Sequence, residues 1–111
     1  MIELSKIYTV EQLKNAVSST GSHFFDKDTM RFFLSRVAPG LIHTDNGIVF
    51  ITSEQFTAYE PCYHKEPRRY TVRILKESGD IDDIGEFQQY ATLRQARRAV
   101  KEYAEFVFKG P

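Results

Sequence analysis

The sequence predicts a single α+β domain spanning residues 1–111, in which helices pack on one face of an antiparallel sheet of three to four strands. Three observations predict it. Apolar residues recur at helical spacing at both ends of the chain. They follow strand spacing in the middle. Turn signals lie close enough to join consecutive strands as hairpins. The expected element order is therefore α-α-β-β-β-β-α.

Two helices are expected before residue 41. Thr9 begins the first, because Gln12 follows three residues later in the pattern of a capping box. The small polar residues and glycine at 18–21 end it. Asp26 is a good N-cap for the second helix. The Pro-Gly pair at 39–40 stops the second helix, whose apolar face is expected to be Met30, Phe33, Leu34 and Val37.

The middle of the chain changes to strand periodicity. Asp-Asn-Gly at residues 45–47 is a strong signal for a tight hairpin, because Asn-Gly tolerates positive φ. Proline-containing residues 57–67 form a loop, and Ser-Gly-Asp at 78–80 turns the chain. The strand candidates are residues 48–52, 70–74 and a stretch within 84–90.

The last helix has the clearest signal. Thr92 and Gln95 repeat the capping-box spacing. An apolar stripe then runs toward the C-terminus through Leu93, Ala96, Val100, Tyr103 and Val107.

Composition excludes several classes of protein. Fifteen basic residues balance fifteen acidic ones, which argues against a dedicated nucleic-acid binder, a polybasic membrane binder and a DNA mimic. The lone Cys62 excludes an intrachain disulfide, and we expect neither a signal peptide nor a membrane span. We therefore expect a protein of a reducing cytoplasm.

Few residues suit metal binding or catalysis. Cys62 and His64 are the closest pair of soft ligands, but a structural zinc site needs four ligands, so no cofactor is expected and zinc remains the lesser alternative. As a nucleophile and base, the two would still need a third group that orients the base. We expect no enzyme activity.

Charged residues suggest where a partner binds. Arg94, Arg97, Arg98 and Lys101 fall within an arc of about 100° on the last helix. Glu102 and Glu105 stand at i+4 from two of these cations and would partly neutralise them. A second basic set, Arg68, Arg69 and Arg73, surrounds Tyr70 and could form a phosphate-binding patch. Further candidates are Tyr63 in the loop and Asp80 and Asp82 at the hairpin turn.

The segment 22–36 is unusually aromatic. Phe24, Phe25, Phe32 and Phe33 cannot all point the same way on a helix. We therefore expect some of these rings in the core and others at the surface, where they would suit a protein partner.

Four stretches resemble a small uncharacterised family encoded by bacteriophages, prophages and conjugative elements. They are SHFFDKDTMRFFLSRV at 22–37, FITSE at 50–54, RYTVR at 69–73 and GEFQQY at 85–90. The similarity extends from about residue 13 to residue 100, and the segment 56–67 lies outside these blocks. The resemblance implies an accessory protein of a mobile element. Proteins of this size and origin often disable a host defence by binding it, as anti-CRISPR proteins do.

This context leads to the first functional hypothesis. It is a phage or mobile-element protein that inhibits a host defence protein by occlusion, with a CRISPR nuclease such as Cas9 as the leading partner. The alternative is a nucleic-acid-binding accessory protein that uses the arginine patch around Tyr70.

Overall fold

This computed structural model describes residues 2–56 and 67–109, with side chains up to residue 104. Within these residues the fold comprises five antiparallel strands and three α-helices. The helices are α1 (Val10–Ser19), α2 (Lys27–Phe33) and α3 (Leu93–Lys109), and a 3-10 turn (Leu4–Lys6) precedes them. The strands are β1 (Arg36–Val37), β2 (Ile42–Thr44), β3 (Gly47–Glu54), β4 (Arg69–Leu75) and β5 (Ile81–Asp83). The α+β class and the antiparallel sheet are confirmed, but five strands replace the expected three to four.

The centre of the sheet is the long pair of β3 and β4, which align from Ile48 opposite Leu75 to Glu54 opposite Arg69. Alternate residues of this pair point to opposite faces. The four consecutive apolar residues 48–51 are all buried, so both faces of the sheet must be covered.

The expectation that the helices pack on one face was wrong. The face with Ile48, Phe50 and Leu75 is covered by α1 and by residues around α2. The opposite face, with Val49 and Val72, packs on α3. The uninterrupted apolar run in β3 requires this two-sided covering, because a one-sided sheet would leave every second side chain exposed to water.

The first sheet edge explains the extra strand. β1 and β2 both pair with β3, at its C-terminal and N-terminal ends respectively. The Pro-Gly pair at 39–40 lies between them, where an edge strand tolerates proline. α2 accordingly ends early, at Phe33, and Leu34 after it adopts a left-handed φ of 50° as the C-cap. Val37, expected on α2, therefore lies in β1.

The other sheet edge also differs from expectation. β5 pairs with the second half of β4 and follows directly on the 78–80 turn. The strand expected within 84–90 was wrong, since that stretch contributes only an isolated bridge between Tyr70 and Tyr90. Gly85 at φ +90° and Gln88 at φ +55° interrupt extended backbone there.

The local signals at the first helix and the hairpin are confirmed. Thr9 and Gln12 form a complete capping box at the start of α1. The loop at 45–46 joins β2 to β3 as a tight hairpin, although positive φ falls on Gly47 and not on Asn46. Phe25 is buried in the core while Phe32 is 52% exposed, which confirms the mixed roles expected of the aromatic segment.

Candidate binding site

The predicted cations of α3 form one exposed surface, which we call the basic face: Arg94, Arg97, Arg98 and Lys101. The helix is held in place by its buried stripe of Ala96 and Val100, so the opposite side of the helix turns these residues toward solvent. The expected i,i+4 pair is present, with Arg98 Nε 3.5 Å from Glu102 Oε1. Glu105 lies beyond the described side chains. Within the described part of the chain, Arg94, Arg97 and Lys101 form no ion pair.

An apolar groove lies directly beside the basic face. It has a volume of about 540 Å³ and runs between α3 and the edge formed by β1 and β2. Its apolar lining includes Pro39, Ile42, Val49, Ile51, Val100 and Ala104. Arg97 and Lys101 also line it. The surface therefore combines exposed positive charge with an apolar floor. No local sequence pattern indicates this surface, because the groove joins residues far apart in the chain.

The second predicted basic set is held by hydrogen bonds within the protein. Arg68 Nη1 donates to the Leu34 carbonyl at 2.6 Å and to the Ser53 carbonyl at 3.2 Å. Burial lowers the pKa of Arg68, and the positive charge of the nearby Arg36 lowers it further. Arg69 donates from Nε to the Gln88 carbonyl at 2.7 Å and from Nη2 to the Gln89 carbonyl at 2.8 Å.

Arg73, also of this set, is buried, and Tyr70 is partly buried on the opposite face of β4, where it packs against the core beneath α3. These contacts tie the arginines around Tyr70 to carbonyl and carboxylate groups of the fold. Their guanidinium groups stabilise the junction of α2, β3 and residues 88–89, and do not form an open basic patch.

The acidic turn is also internally paired. Asp82 accepts from Lys76 Nζ at 2.6 Å, and this hydrogen bond raises the pKa of Lys76. Asp80 accepts from the Ser78 hydroxyl at 3.0 Å. Both carboxylates are exposed, but their charge is partly satisfied within the hairpin.

The loop candidates Tyr63, Cys62 and His64 lie outside the described residues, so the zinc alternative stays a prediction. Among residues 2–56 and 67–109, no group of three His, Cys, Asp or Glu side chains is arranged to hold a metal ion. His43 is used structurally, with Nε2 2.7 Å from the Ile7 carbonyl oxygen.

A buried charge network was missed at the sequence level. Glu54 and Arg73 lie at inward positions of β3 and β4, with residue exposures of 2% and 8%. Arg73 donates from Nε to the Thr52 hydroxyl at 2.8 Å, from Nη1 to Asp83 at 2.7 Å and from Nη2 to Glu54 at 3.3 Å. A signal was available, since charged residues at inward positions of a central strand are rare unless paired.

Rings surround this network. The ring centroids of Phe24 and Phe87 lie 4.9 Å and 5.8 Å from Cζ of Arg73, close enough for cation–π attraction. Phe33 packs on Phe87 with ring centroids 5.9 Å apart. We call the cavity enclosed here the phenylalanine pocket; its volume is about 300 Å³.

The fold and these surfaces define a small α+β domain with a potential binding site on each side of one sheet. The chain belongs to a family of unknown function, DUF7447, whose model matches residues 9–101. This confirms the expected membership of an uncharacterised family. Neither the curated proteins nor the solved structures include a significant match to the chain. None of the helices in the described residues is both long and apolar enough to span a bilayer.

Proposed function

We propose that this protein is a non-catalytic binding protein of a phage or other mobile element, which inhibits a host defence protein in the bacterial cytoplasm. The basic face and the apolar groove together form the docking surface. The proposal rests on one observation: Arg97 and Lys101 border a groove lined by apolar side chains. Neither of these cations forms an ion pair in the described part of the chain.

This combination favours a protein partner. An interface needs a water-excluded apolar centre for most of its binding energy, and surrounding charges supply orientation and speed of association. The groove supplies the first and the basic face the second. The complementary surface is acidic, with an apolar side chain that enters the groove. A nucleic acid would satisfy the cations but would leave the groove unfilled.

A CRISPR nuclease such as Cas9 is the partner we would test first. Its guide–target channel is positively charged and would repel the basic face. Inhibition would therefore come from an acidic surface that the nuclease needs for a conformational change. The family context suggested by the sequence, and not the geometry, points to this class of partner.

The test is a pull-down with tagged protein from nuclease-treated lysate of a bacterium that carries a CRISPR system. The variant reverses Arg94, Arg97 and Lys101 to Glu. Its matched control reverses Lys6, Lys27 and Arg31, which are also exposed and lie on elements that cover the opposite face of the sheet. We expect the first variant to lose the partner and the control to keep it. Equal capture by wild type and by the α3 variant would overturn the proposed surface.

One observation also favours nucleic acid as the second candidate, namely the row of exposed cations on α3, of which Arg94, Arg97 and Lys101 form no ion pair in the described part of the chain. This reading predicts binding that weakens steeply as salt rises. Ile42→Gln separates the two, because Ile42 is 41% exposed and lines the groove. The substitution should weaken the binding of a protein partner and leave the binding of phosphate groups unchanged. Recovery of nucleic acid alone, lost after nuclease treatment, would replace the inhibitor proposal.

A further inference from the structure

The phenylalanine pocket lies on the face of the sheet opposite to α3, between α2 and the inward residues of β3 and β4. Its walls are apolar and mostly aromatic: Phe24, Phe25, Met30, Phe33, Val37 and Phe87. Its polar lining includes Thr52, Glu54 and Arg73. Apolar walls with a few convergent polar groups are typical of a ligand site, and about 300 Å³ is at the small end of the range.

The polar floor retains hydrogen-bonding capacity. A guanidinium carries five N–H donors. Arg73 uses three of them, toward Thr52, Asp83 and Glu54, which leaves two. The Glu54 carboxylate accepts from the Thr71 hydroxyl at Oε1 and from Arg73 at Oε2, and each carboxylate oxygen has a further lone pair. A donor and an acceptor therefore stand side by side in one cavity.

The charges select against ionic ligands. The single positive charge of Arg73 faces the two carboxylates of Glu54 and Asp83, so the group carries a formal charge of −1. An added phosphate or carboxylate would meet this net negative charge. An added cation would be attracted by this net charge but would have to compete with the Arg73 guanidinium, which already pairs with both carboxylates and lies against the rings of Phe24 and Phe87. A neutral group avoids both penalties.

We propose that the phenylalanine pocket binds a neutral, planar aromatic ring whose polar edge both donates and accepts hydrogen bonds. The ring would pack against the phenylalanine walls, with its acceptor toward Arg73 and its donor toward Glu54. A nucleobase and a tyrosine side chain share this chemistry. The net negative charge of the pocket disfavours the phosphate of a whole nucleotide. This site is separate from the docking surface on α3 and does not depend on the proposed function.

The experiment is an NMR titration of the 15N-labelled protein with adenine, p-cresol, toluene and AMP. Adenine tests the nucleobase, p-cresol the tyrosine side chain, toluene a ring without a polar edge, and AMP the effect of phosphate. We expect adenine or p-cresol to shift the backbone amide signals of Thr52, Arg73 and Phe87. Toluene and AMP should bind more weakly. The stronger of the two polar rings identifies the source of the ligand.

Two variants and one control make the test specific. Thr29→Trp fills the pocket, because Thr29 lines it. Asp28→Trp places the same ring on the adjacent exposed position, which does not line the pocket. Phe87→Ala removes a wall that is already 39% exposed, and the loss of stacking should weaken binding about tenfold. We expect Thr29→Trp to abolish the shifts and Asp28→Trp to retain them.

Three results would overturn the proposal. The first is that neither polar ring shifts these signals at millimolar concentration. The second is that toluene or AMP binds as well as the polar rings do, which would remove the role of the hydrogen-bonding edge or of the charge. The third is that binding persists in a folded Thr29→Trp variant, as judged from its dispersed amide spectrum.

Discussion

Arg73 on β4 reaches diagonally across the sheet to Glu54 on β3, with Nη2 3.3 Å from Oε2, and both side chains are nearly excluded from water. Burying two charges costs more than their attraction returns unless further hydrogen bonds satisfy them. Here Thr52 and Asp83 bind the guanidinium and Thr71 binds the carboxylate. The Thr71 hydroxyl in turn accepts from the Gln88 amide at 2.8 Å. The pair therefore ties the central strands to the chain between β5 and α3.

The two members of this pair should differ in what their removal costs. Arg73→Met leaves Glu54 as a buried charge without a counterion, which should lower the free energy of unfolding by about 3–5 kcal/mol. Glu54→Gln leaves Arg73 paired with Asp83 and should cost only about 1–2 kcal/mol. Urea denaturation followed by circular dichroism measures both. Arg97→Met on the exposed face is the control, expected within about 0.5 kcal/mol of wild type. A larger loss for Glu54→Gln than for Arg73→Met would contradict this account.

Alanine substitutions at two glycines distinguish the cost of backbone strain from the cost of a steric clash. Gly40 has φ +98° and nothing within 4 Å of an added Cβ, so Gly40→Ala should cost about 1 kcal/mol from the backbone conformation alone. Gly47 has φ +145°, and an added Cβ would collide with the Leu75 carbonyl oxygen. Gly47→Ala should therefore cost roughly 2–4 kcal/mol. Thermal and urea unfolding of the two variants test the order, and equal losses would show that the β3–β4 contact yields freely.

The helix N-termini offer another matched comparison. Thr9 accepts from the Gln12 amide at 3.1 Å, so Thr9→Ala should destabilise by about 1 kcal/mol and Thr9→Ser should not. Asp26 occupies the N-cap of α2 but makes no capping hydrogen bond, because its carboxylate binds His23 Nδ1 at 2.6 Å. Asp26→Ala should therefore cost less than Thr9→Ala in the same unfolding assay. The reverse order would mean that Asp26 caps α2 in solution.

The Lys76–Asp82 pair predicts a pH effect in alkaline solution. The pKa of Lys76 is raised in the folded state, chiefly by its hydrogen bond to Asp82. The contribution of the pair is thus fully present below the unfolded-state pKa, roughly 10.4, and is lost as pH rises through the higher folded value. NMR titration of the Lys76 side chain should give a midpoint above the ordinary value. Asp82→Asn should return it toward that value, and an unchanged midpoint would show that the pair does not persist in solution.

Sequence patterns located most elements because the relevant interactions are local. The capping box at the start of α1 involves residues three apart. At the start of α3, the backbone N–H of Gln95 likewise donates a hydrogen bond to the Thr92 hydroxyl at 3.1 Å. The hairpin at 45–47 depends on a two-residue loop. The errors arose where neighbours along the chain do not decide the outcome. α2 ends at Phe33, and residues 36–37 instead pair with β3, which no local pattern could show.

The candidate sites divide in the same way. The α3 cations were predictable because helical periodicity and a buried stripe place them together on the solvent side. The internal hydrogen bonds of Arg68, Arg69 and Arg73 were not predictable, since their partners lie 10 to 34 residues away in the chain. The phenylalanine pocket was also hidden, because it brings the segment around α2 against β3, β4 and Phe87.

The sequence by itself determined the α+β class, the caps, the hairpin turn and the exposed basic face of α3. Each depends on the period of apolar residues or on contacts a few residues apart. Only the tertiary structure decided that helices cover both faces of the sheet, which arginines are internally bound, and where the pocket and the groove form. The physical reason is that these features depend on packing between distant segments, and β3, apolar on both faces over residues 48–51, allows a helix on either side.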